Sequence, residues 1–415
     1  YGAAAALIFP TVFFGEASPS TALILSFLTF AAGFIARPIG GIIFGHFGDR
    51  IGRKKTLVTA LILMGVSSTL IGLLPTYAMI GVTAPILLTT LRFAQGIAIG
   101  GQWGGAMLLV TESAPSNQRG YYGAFAQAGA PAGVILANLA FIITSASVSD
   151  ESFLAWGWRI PFLASALLIA ISMYIQLNLE DTKAFKELQS YKENHLKDNN
   201  LNETSFKKSP IIEAIKKYPK RIILAAGAFL SIQVTFYILI AFMLVYGVSD
   251  TNLSRADILT AILIASAIQI PVQFVFASYS DRHGRKGIFM LGAVLTALWA
   301  FAIFPLVDTG SFWLTVLAIT GGLVFLAMMY GPQAAFFTEL FTTEVRYSGA
   351  TLGYQFGAIA GGAFAPSIAA FLWTEYDIVW VSAYIAFASL LTLLSVMTLT
   401  ETFQTDLNET TSQEI

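Results

Sequence analysis

The sequence predicts an all-α polytopic membrane protein whose twelve transmembrane helices form two pseudo-symmetric six-helix bundles. Three observations support this fold class: a composition that is 56% hydrophobic and only 11% charged, apolar segments long enough to span a bilayer, and loop motifs that occur twice. Soluble globular proteins contain about 25% charged residues, so this chain has too few to cover a water-facing surface of its size. The composition therefore excludes an ordinary cytosolic enzyme and a disordered chain.

The apolar segments indicate helices rather than the strands of a barrel. A spanning helix needs about 20 apolar residues, whereas a barrel strand needs about 10 with strict alternation. The predicted spans are long and do not alternate: 21–45, 55–75, 83–111, 119–144, 160–179, 221–247, 256–279, 286–307, 311–338, 346–372 and 376–400. Residues 3–14 are too short to cross a bilayer and the chain begins at Tyr1, so we expect the first helix to be truncated here.

Basic residues predict the orientation in the membrane. Most of the 23 Lys and Arg residues lie after the second, fourth, eighth and tenth spans and in one long polar stretch, whereas the opposite loops carry mainly Asp and Glu. Because positively charged loops stay in the cytoplasm, both termini are expected to be cytoplasmic. We expect a multi-pass protein of the plasma or inner membrane, and the net charge of −1 indicates no nucleic-acid partner.

The long polar stretch predicts the domain organisation. We expect an N-terminal six-helix bundle at 1–179, a cytoplasmic linker at 180–220, a C-terminal six-helix bundle at 221–400 and a cytoplasmic tail at 401–415. Within the linker, the pattern of residues 211–218 predicts a short amphipathic helix on the membrane surface. A solvated linker without another role is the alternative interpretation of its charges.

Two motifs occur once in each half. The Asp, Arg, Gly, Arg and Lys of the loop at 45–55 recur in the loop at 277–286. A Glu and an Arg also lie seven residues apart in both halves, as Glu112 with Arg119 and as Glu339 with Arg346. Parallel repeats of six helices are a known transporter design, with the substrate site near the midplane between the halves.

The loop GHFGDRIGRKK at 45–55 resembles the signature loop of the major facilitator superfamily. The segments ARPIGG at 36–41, RFAQG at 92–96, WGWRIPF at 156–162 and GPQ at 331–333 resemble its metabolite:proton symporter branch. That branch carries shikimate, 2-oxoglutarate, citrate, and proline or betaine. The resemblance covers essentially the whole chain, and it implies the superfamily's fold, protons as the coupling ion and a monomer.

The resemblance also implies a gate at the cytoplasmic end. In the family, the Asp of the signature loop contacts the start of the eleventh helix, so Asp49 is expected near Arg346 and, by pseudo-symmetry, Asp281 near Arg119. Glu112 and Glu339 are then expected to pair with loop arginines. A static anchor of positive charge is the alternative. The expected gate residues are Gly45, Asp49, Arg50, Gly52, Arg53, Glu112, Arg119, Asp281, Arg282, Gly284, Arg285, Glu339 and Arg346.

Two arginines within the spans are candidates for substrate binding. A charge at the position of Arg92 costs about 2.5–3.5 kcal/mol on insertion scales, so we expect it to face the cavity and to hold an anion or pair with an acid. A buried ion pair is the alternative. Arg37 either faces the cavity or extends toward the lipid headgroups.

Polar and aromatic residues of the central spans complete the candidate site, because pockets combine apolar walls with a few polar groups. For each of them an ordinary interhelical hydrogen bond is the alternative. These candidates are Gln95, Gln102, Trp103, Gln127, Asn138, Gln233, Tyr237, Gln269, Gln273, Tyr330, Gln333, Tyr354 and Gln355.

The predicted function is secondary active transport of a small polar metabolite, an organic anion such as shikimate or a dicarboxylate, by proton symport with alternating access. Proton coupling follows from the resemblance alone, because no Asp or Glu lies mid-span and Gln102 stands where the family usually has Glu. Trp103 and Tyr237 could stack on a quaternary ammonium, so uptake of proline or betaine stays open. A sugar or another solute stays open too, since a fold does not fix its substrate.

Other function classes lack their residues in this sequence. No cysteine occurs and the three His lie near charged loops, so we expect no metal, no cofactor and no catalytic residues. The chain contains no nucleotide-binding P-loop, and a channel would require a pore ring or a selectivity loop. The expected partners are a small-molecule substrate, protons and the lipid bilayer.

Overall fold

The computed structural model describes residues 2–51, 53–178, 210–341 and 346–403, and within these ranges the chain is helical without any strand. Most of the predicted linker and most of the predicted tail lie outside the described residues. The helices of the first half are α1 (Gly2–Leu7), α2 (Phe9–Phe13), α3 (Pro19–Ile51), α4 (Arg53–Leu73), α5 (Tyr77–Ile80), α6 (Thr83–Ser113), α7 (Arg119–Gln127), α8 (Gly129–Ser147), α9 (Asp150–Ser152) and α10 (Arg159–Asn178). 

The second half contains α11 (Pro210–Lys217), α12 (Pro219–Tyr237), α13 (Met243–Asp250), α14 (Arg255–His283), α15 (Arg285–Asp308), α16 (Phe312–Glu339), α17 (Arg346–Ala358), α18 (Ala365–Glu375) and α19 (Ile378–Thr398). Three π-helical turns interrupt the helices, at Phe153–Gly157, Ile238–Phe242 and Ile359–Ala363. Helix α11 lies where the sequence predicted a short amphipathic helix.

Eight helices in the described part are long and apolar enough to cross a membrane, and a bent pair at Asp150–Gly157 and Arg159–Tyr174 adds a ninth if it is one span. Each predicted span coincides with one helix or with consecutive helices, so the predicted all-helical membrane fold is confirmed. The span predicted at 21–45 is part of the longer helix α3. The boundaries of the predicted linker stay a prediction, because residues 179–209 are not described.

The spans predicted at 221–247 and 346–372 are each interrupted by a π-helical turn, at Ile238–Phe242 and Ile359–Ala363. Such turns insert an extra residue into a helix and occur frequently at functional sites. They shift the side-chain register between the two parts of each span. A simple 3.6-residue pattern extended across either turn would therefore assign the residues beyond the turn to the wrong face of the helix.

Glycines bring α3 and α6 into backbone contact. A Cβ added at Gly100 would overlap the carbonyl of Arg37, and one added at Gly40 would overlap the carbonyl of Ile97. Small residues at such positions allow membrane helices to approach closely. This contact fixes the position of Arg37 on α3 relative to that of Arg92 on α6.

The two halves meet along two seams. Helices α7 and α8 of the first half pack against α14, and α7 also packs against α16. On the other side, α3 packs against α17, the π-helical turn that follows it, and α18. A space remains between these seams.

Candidate functional site

A cavity of about 620 Å³ lies between the two halves and is called the central cavity here. Helices α3, α4, α6 and α8 line it on one side, and α12, α16 and α17 on the other. Several residues predicted from the sequence contribute to its walls: Arg37, Arg92, Gln95, Gln102, Asn138, Gln233, Tyr237, Tyr330 and Tyr354. The rest of the lining is mostly apolar or glycine, as is usual for small-molecule sites.

Arg92 projects from α6 and is 5% exposed. Its guanidinium carbon lies 5.5 Å from the ring centroid of Phe9 and 5.4 Å from that of Phe30. One turn further along α6, the Gln95 side-chain amide donates a hydrogen bond of 2.9 Å to the Ser68 hydroxyl on α4. The aromatic rings and this hydrogen bond orient the polar wall that α6 presents to the cavity.

Arg37 lies on α3, with its guanidinium carbon 3.8 Å from the ring centroid of Phe34. Its Nε has no hydrogen-bond partner among the described residues. The rings of Phe34 and Phe30 make edge contacts with Tyr237 of the other half, with centroids 5.3 and 5.8 Å apart. Arg37 therefore lies beside an aromatic contact that joins the two halves.

The described lining of the central cavity contains two guanidinium groups and no Asp or Glu. Charges in a low-dielectric, partly closed space interact more strongly than charges at a water-exposed surface. A cavity with this balance attracts an anion and disfavours a cation. The arrangement can bind a carboxylate on a guanidinium group and hydroxyl groups on the neighbouring amides.

Several predicted candidates do not line this cavity. Gln127 donates a hydrogen bond of 2.8 Å to Gln333, and Gln273 donates one of 3.2 Å to the backbone carbonyl of Ala124. These bonds join α7 to α16 and α14, so they belong to the contact between the halves. The amides of Gln269 and Gln355 are buried outside the cavity lining.

Trp103 also lies outside the lining, but its ring stacks on that of Tyr354 with centroids 3.6 Å apart and an interplanar angle of 18°. This stack joins α6 to α17. Phe30 and Phe34 also line the cavity, although they were not among the residues predicted from the sequence. Their spacing to Arg37 places all three on one face of α3, and this was the signal that could have identified them.

One end of the bundle, called the basic end here, carries the loops after α3, α6, α14 and α16. There the Asp281 carboxylate accepts hydrogen bonds of 2.8 Å from the backbone N–H of Gly120 and 2.8 Å from that of Tyr121. These N–H groups belong to the first turn of α7, where a helix favours an anion. Asp281 thereby ties α14 of the second half to α7 of the first half, beside Arg119 as expected.

Arg285, which is 1% exposed, holds the centre of this end. Its Nη1 lies 2.6 Å from Asp281, and its Nε and Nη2 donate to the two carboxylate oxygens of Glu339 at 3.2 and 3.1 Å. The Thr402 hydroxyl donates to Glu339 at 2.7 Å. We call Asp281, Arg285 and Glu339 the Arg285 cluster, in which carboxylates of the chain compensate the charge of Arg285.

Glu401 extends this arrangement to the end of the described chain. Its carboxylate accepts the backbone N–H groups of Arg285 and Lys286 at 2.9 and 3.0 Å, at the start of α15. The Lys286 ammonium donates in turn to the carbonyl of Leu399 at 2.5 Å. Gly284, with φ of +99°, makes the sharp turn that directs the start of α15 to Glu401.

The remaining predicted gate residues divide into two groups. Arg282 is exposed, and Arg346 is buried and donates a hydrogen bond of 3.2 Å to the carbonyl of Phe341. The side chains of residues 45–57 and of Glu112 lie outside the described residues. The expected contact of Asp49 with the start of α17, and the roles of Gly45, Arg50, Gly52, Arg53 and Glu112, therefore stay predictions.

The fold and the cavity between its halves define a polytopic membrane transporter. The sequence profile of the Major Facilitator Superfamily matches residues 2–359, and a second match covers residues 250–413. The chain belongs to this superfamily. Its curated relatives are transporters of small metabolites and not enzymes.

Two relatives come from Escherichia coli K12. The chain is 38% identical to the inner membrane metabolite transport protein YhjE over 410 residues, which covers 97% of this chain and 90% of the relative. It is 38% identical to the shikimate transporter over 393 residues, which covers 93% and 86%. A proline/betaine transporter of Salmonella typhimurium is 33% identical over 405 residues, covering 94% and 78%. These identities confirm the resemblance to the metabolite transporter branch.

Among solved structures, the crystal structure of the D-xylose-proton symporter superposes with a TM-score of 0.70. The superposition covers 97% of this chain and 94% of that chain, at 16% sequence identity. This likeness shows the fold, including the arrangement of the two bundles.

Proposed function

We propose that this transporter moves a small organic anion, of the shikimate or dicarboxylate type, by proton symport with alternating access to the central cavity. The observation that carries the proposal is the presence of Arg37 and Arg92 in a cavity whose described lining has no Asp or Glu. Charged side chains within membrane spans usually face a cavity and mark the path of a substrate or ion. A lining with guanidinium groups and no Asp or Glu attracts an anionic substrate.

The chemistry of the lining supports a hydroxylated carboxylate. A guanidinium group binds a carboxylate through two parallel hydrogen bonds. The amides of Asn138 and Gln233 can donate to or accept from substrate hydroxyl groups. The relative named as a shikimate transporter supports the same chemical class.

The Arg285 cluster supports the alternating-access part of the proposal. Asp281 joins the two halves through backbone N–H groups of α7, so this contact must break if the halves separate at the basic end. We place the basic end in the cytoplasm, as the distribution of positive charge predicts. Closure of this end then keeps the cavity from opening inward.

Proton coupling is the part of the proposal that depends most on the family resemblance. Gln102 lines the cavity where the branch usually has Glu, and an amide does not titrate at physiological pH. Another group must therefore carry the proton.

Uptake into proteoliposomes containing the full-length protein tests the proposal. Shikimate, 2-oxoglutarate, citrate, proline and betaine are compared with and without an inside-alkaline pH gradient. We expect an anion to be taken up, and the gradient to accelerate its uptake. If no gradient accelerates any uptake, the proton coupling is wrong, whereas uptake of proline or betaine alone would refute the anionic substrate.

Uptake of an osmolyte such as betaine is the second candidate. The rings of Phe30, Phe34 and Tyr237 lie together in the cavity, and aromatic faces bind quaternary ammonium groups. A proline/betaine transporter is among the relatives. The two cavity arginines favour the anion over this alternative, because positive groups in the lining attract a net negative charge more strongly than a zwitterion.

A further inference from the structure

We propose a second anion-binding station beside the central cavity, at the junction of α3, α6 and α17. It consists of Gln102, Trp103, Thr351, Gln355 and the Nε of Arg37, and we call it the junction station. It binds the carboxylate of the substrate between the central cavity and the basic end. The proposal extends the proposed function, because it assumes that the transported solute is an anion.

The first observation is a set of buried polar atoms without hydrogen-bond partners among the described residues. The set comprises Arg37 Nε, Gln102 Nε2, Trp103 Nε1, Thr351 Oγ1 and both amide atoms of Gln355. Gln355 is 1% exposed and Thr351 is 7% exposed. Buried polar groups in native proteins are nearly always hydrogen-bonded, so a cluster of unsatisfied ones requires an explanation.

The second observation is that these groups lie where three helices meet. Trp103 stacks on Tyr354, which holds α6 against α17. Thr351 and Gln355 are four residues apart and therefore share one face of α17. A Cβ added at Gly41 would lie 3.9 Å from Thr351 and 3.5 Å from the carbonyl of Gly100, so this face meets both α3 and α6.

A contact further along the same seam places Gln355 relative to Arg37. A Cβ added at Gly362, beyond the π-helical turn, would lie 2.9 Å from the ring of Phe34. Phe34 precedes Gly41 on α3, whereas Gly362 follows Thr351, so the two segments run antiparallel. Gln355 lies between these two contacts on its segment, and Arg37 lies between them on α3.

The chemistry of the set fits a carboxylate. It contains N–H donors from a guanidinium group, two amides and an indole, and no Asp or Glu belongs to it. A carboxylate accepts several hydrogen bonds at once through its two oxygens. The Thr351 hydroxyl and the Gln355 carbonyl can also accept a hydrogen bond from a hydroxyl group on the same solute.

The junction station differs from another set of unsatisfied buried groups, on α14. Ser266 and Gln269 on α14 also have buried atoms without partners among the described residues. That pair contains no charged donor and does not line the central cavity. In the junction station, by contrast, Arg37 and Gln102 line the cavity themselves, so an anion can pass from one site to the other while it stays bound.

The position of Trp103 on α6 indicates where the junction station lies along the transport path. Trp103 follows the cavity-lining residues of α6 in the direction of Ser113, where the helix reaches the basic end. A substrate that leaves the cavity toward the basic end therefore meets the station next. The station lowers the barrier for an anion that would otherwise lose its contacts with Arg92 in one step.

Thermal unfolding of the purified full-length protein tests the station with acetate as the probe. Sodium acetate is compared with sodium chloride at equal ionic strength, because acetate is a carboxylate small enough to enter any carboxylate site. The background variant is Arg92→Gln, which weakens the anion site of the central cavity. We expect this variant to keep a saturable rise in Tm with acetate that chloride does not produce.

Adding Gln355→Leu to this variant is expected to weaken the apparent acetate affinity at least tenfold. Gln269→Leu is the matched control, because it removes another buried amide without hydrogen-bond partners, and it should leave the affinity unchanged. Thr351→Val removes one hydroxyl at almost the same volume and should also weaken the acetate affinity. This variant replaces Gln355→Leu in the test if Gln355→Leu does not fold.

The station is refuted if acetate has no more effect than chloride on Arg92→Gln, or if Gln355→Leu and Thr351→Val leave the acetate affinity unchanged. The proposed function fails in a different way, through uptake of neutral or zwitterionic solutes only. In that event an acetate response that depends on Gln355 would still establish the anion site.

Discussion

Arginines at two places in this molecule have opposite surroundings. At the basic end, Arg285 binds the carboxylates of Asp281 and Glu339 at 2.6 to 3.2 Å. In the central cavity, Arg37 and Arg92 lie beside aromatic rings, and the described lining contains no carboxylate. The same side chain is therefore paired with carboxylates of the chain in one place and lies among aromatic rings in the other.

The difference follows from where the counter-charge comes from. A buried ion pair whose partners belong to the chain is compensated in every molecule, and breaking it leaves charges uncompensated. In the central cavity, by contrast, a bound anion would add a counter-charge that does not belong to the chain. Substitutions in the Arg285 cluster should therefore change stability, whereas substitutions of the cavity arginines should change transport.

Arg285→Met is expected to have the largest effect. It leaves Asp281 and Glu339 buried without their cation, which should lower the free energy of unfolding by about 3–5 kcal/mol. Unfolding of the purified protein in mixed detergent micelles measures this change. Arg282→Met is the matched control, because Arg282 is exposed in the last turn of α14, three residues before Arg285, and it should change stability by less than about 0.5 kcal/mol. Equal effects of the two substitutions would show that the Arg285 cluster does not stabilise this end.

Arg92→Gln should act on transport more than on stability. Loss of a charge-assisted hydrogen bond to the substrate costs about 1.5–3 kcal/mol, which corresponds to about a tenfold to hundredfold rise in the KM for uptake. Uptake of radiolabelled shikimate into proteoliposomes measures KM, and the unfolding assay measures stability. Arg255→Gln is the control, since Arg255 begins α14 outside the cavity. A parent-like KM in Arg92→Gln would remove Arg92 from the substrate site.

The basic end could be predicted from the sequence in unusual detail. The family resemblance, carried over by pseudo-symmetry, predicted Asp281 at the helix that starts near Arg119, and the structure shows Asp281 bound to the N–H groups of Gly120 and Tyr121. The repeat was readable because charged residues are rare in this chain and nearly all of them lie outside the apolar spans. Glu401 was predicted only as part of a tail, since nothing local indicates that it binds the start of α15.

The cavity was harder to predict. Gln102 and Gln127 look alike in sequence, but Gln102 lines the cavity and Gln127 binds Gln333. Whether a glutamine lines the cavity or binds another helix depends on which helix lies beside it. The π-helical turns also change the side-chain register within two spans. Phe30 and Phe34 share a face of α3 with Arg37, but apolar rings are common throughout membrane helices, so this spacing did not single them out. The repeated charges therefore indicated contacts at the basic end, whereas the walls of the cavity could be assigned only from the packing of the helices.

Gly120→Ala tests how closely the two halves approach at the basic end. A Cβ at this position would lie 2.7 Å from Arg285 Nη1 and 2.8 Å from the carbonyl of Ala277. Overpacking of this kind costs about 1–3 kcal/mol, and here it pushes α7 away from α14. The sequence has no cysteine, so Ala334→Cys introduces a single thiol, on α16 where it packs against α7. The rate at which a thiol reagent labels this cysteine reports opening of the basic end.

We expect faster labelling of Ala334→Cys in the Gly120→Ala background. Gly287→Ala is the control, because a Cβ at Gly287 meets nothing within 4 Å. It should leave the labelling rate unchanged. An unchanged rate in Gly120→Ala would mean that the contact at Asp281 does not hold the basic end closed.

Glu401→Gln should give the smallest effect and shows how far the compensated region extends. The Glu401 carboxylate is exposed but accepts two N–H groups at the start of α15, and the amide oxygen of Gln keeps part of this cap without the charge. Loss of the charge–dipole interaction should lower the free energy of unfolding by about 0.3–1 kcal/mol, and high salt should reduce the difference. Glu375→Gln, at an exposed helix end, is the control. If Glu401→Gln instead approaches the effect of Arg285→Met, the chain end is part of the Arg285 cluster rather than a cap beside it.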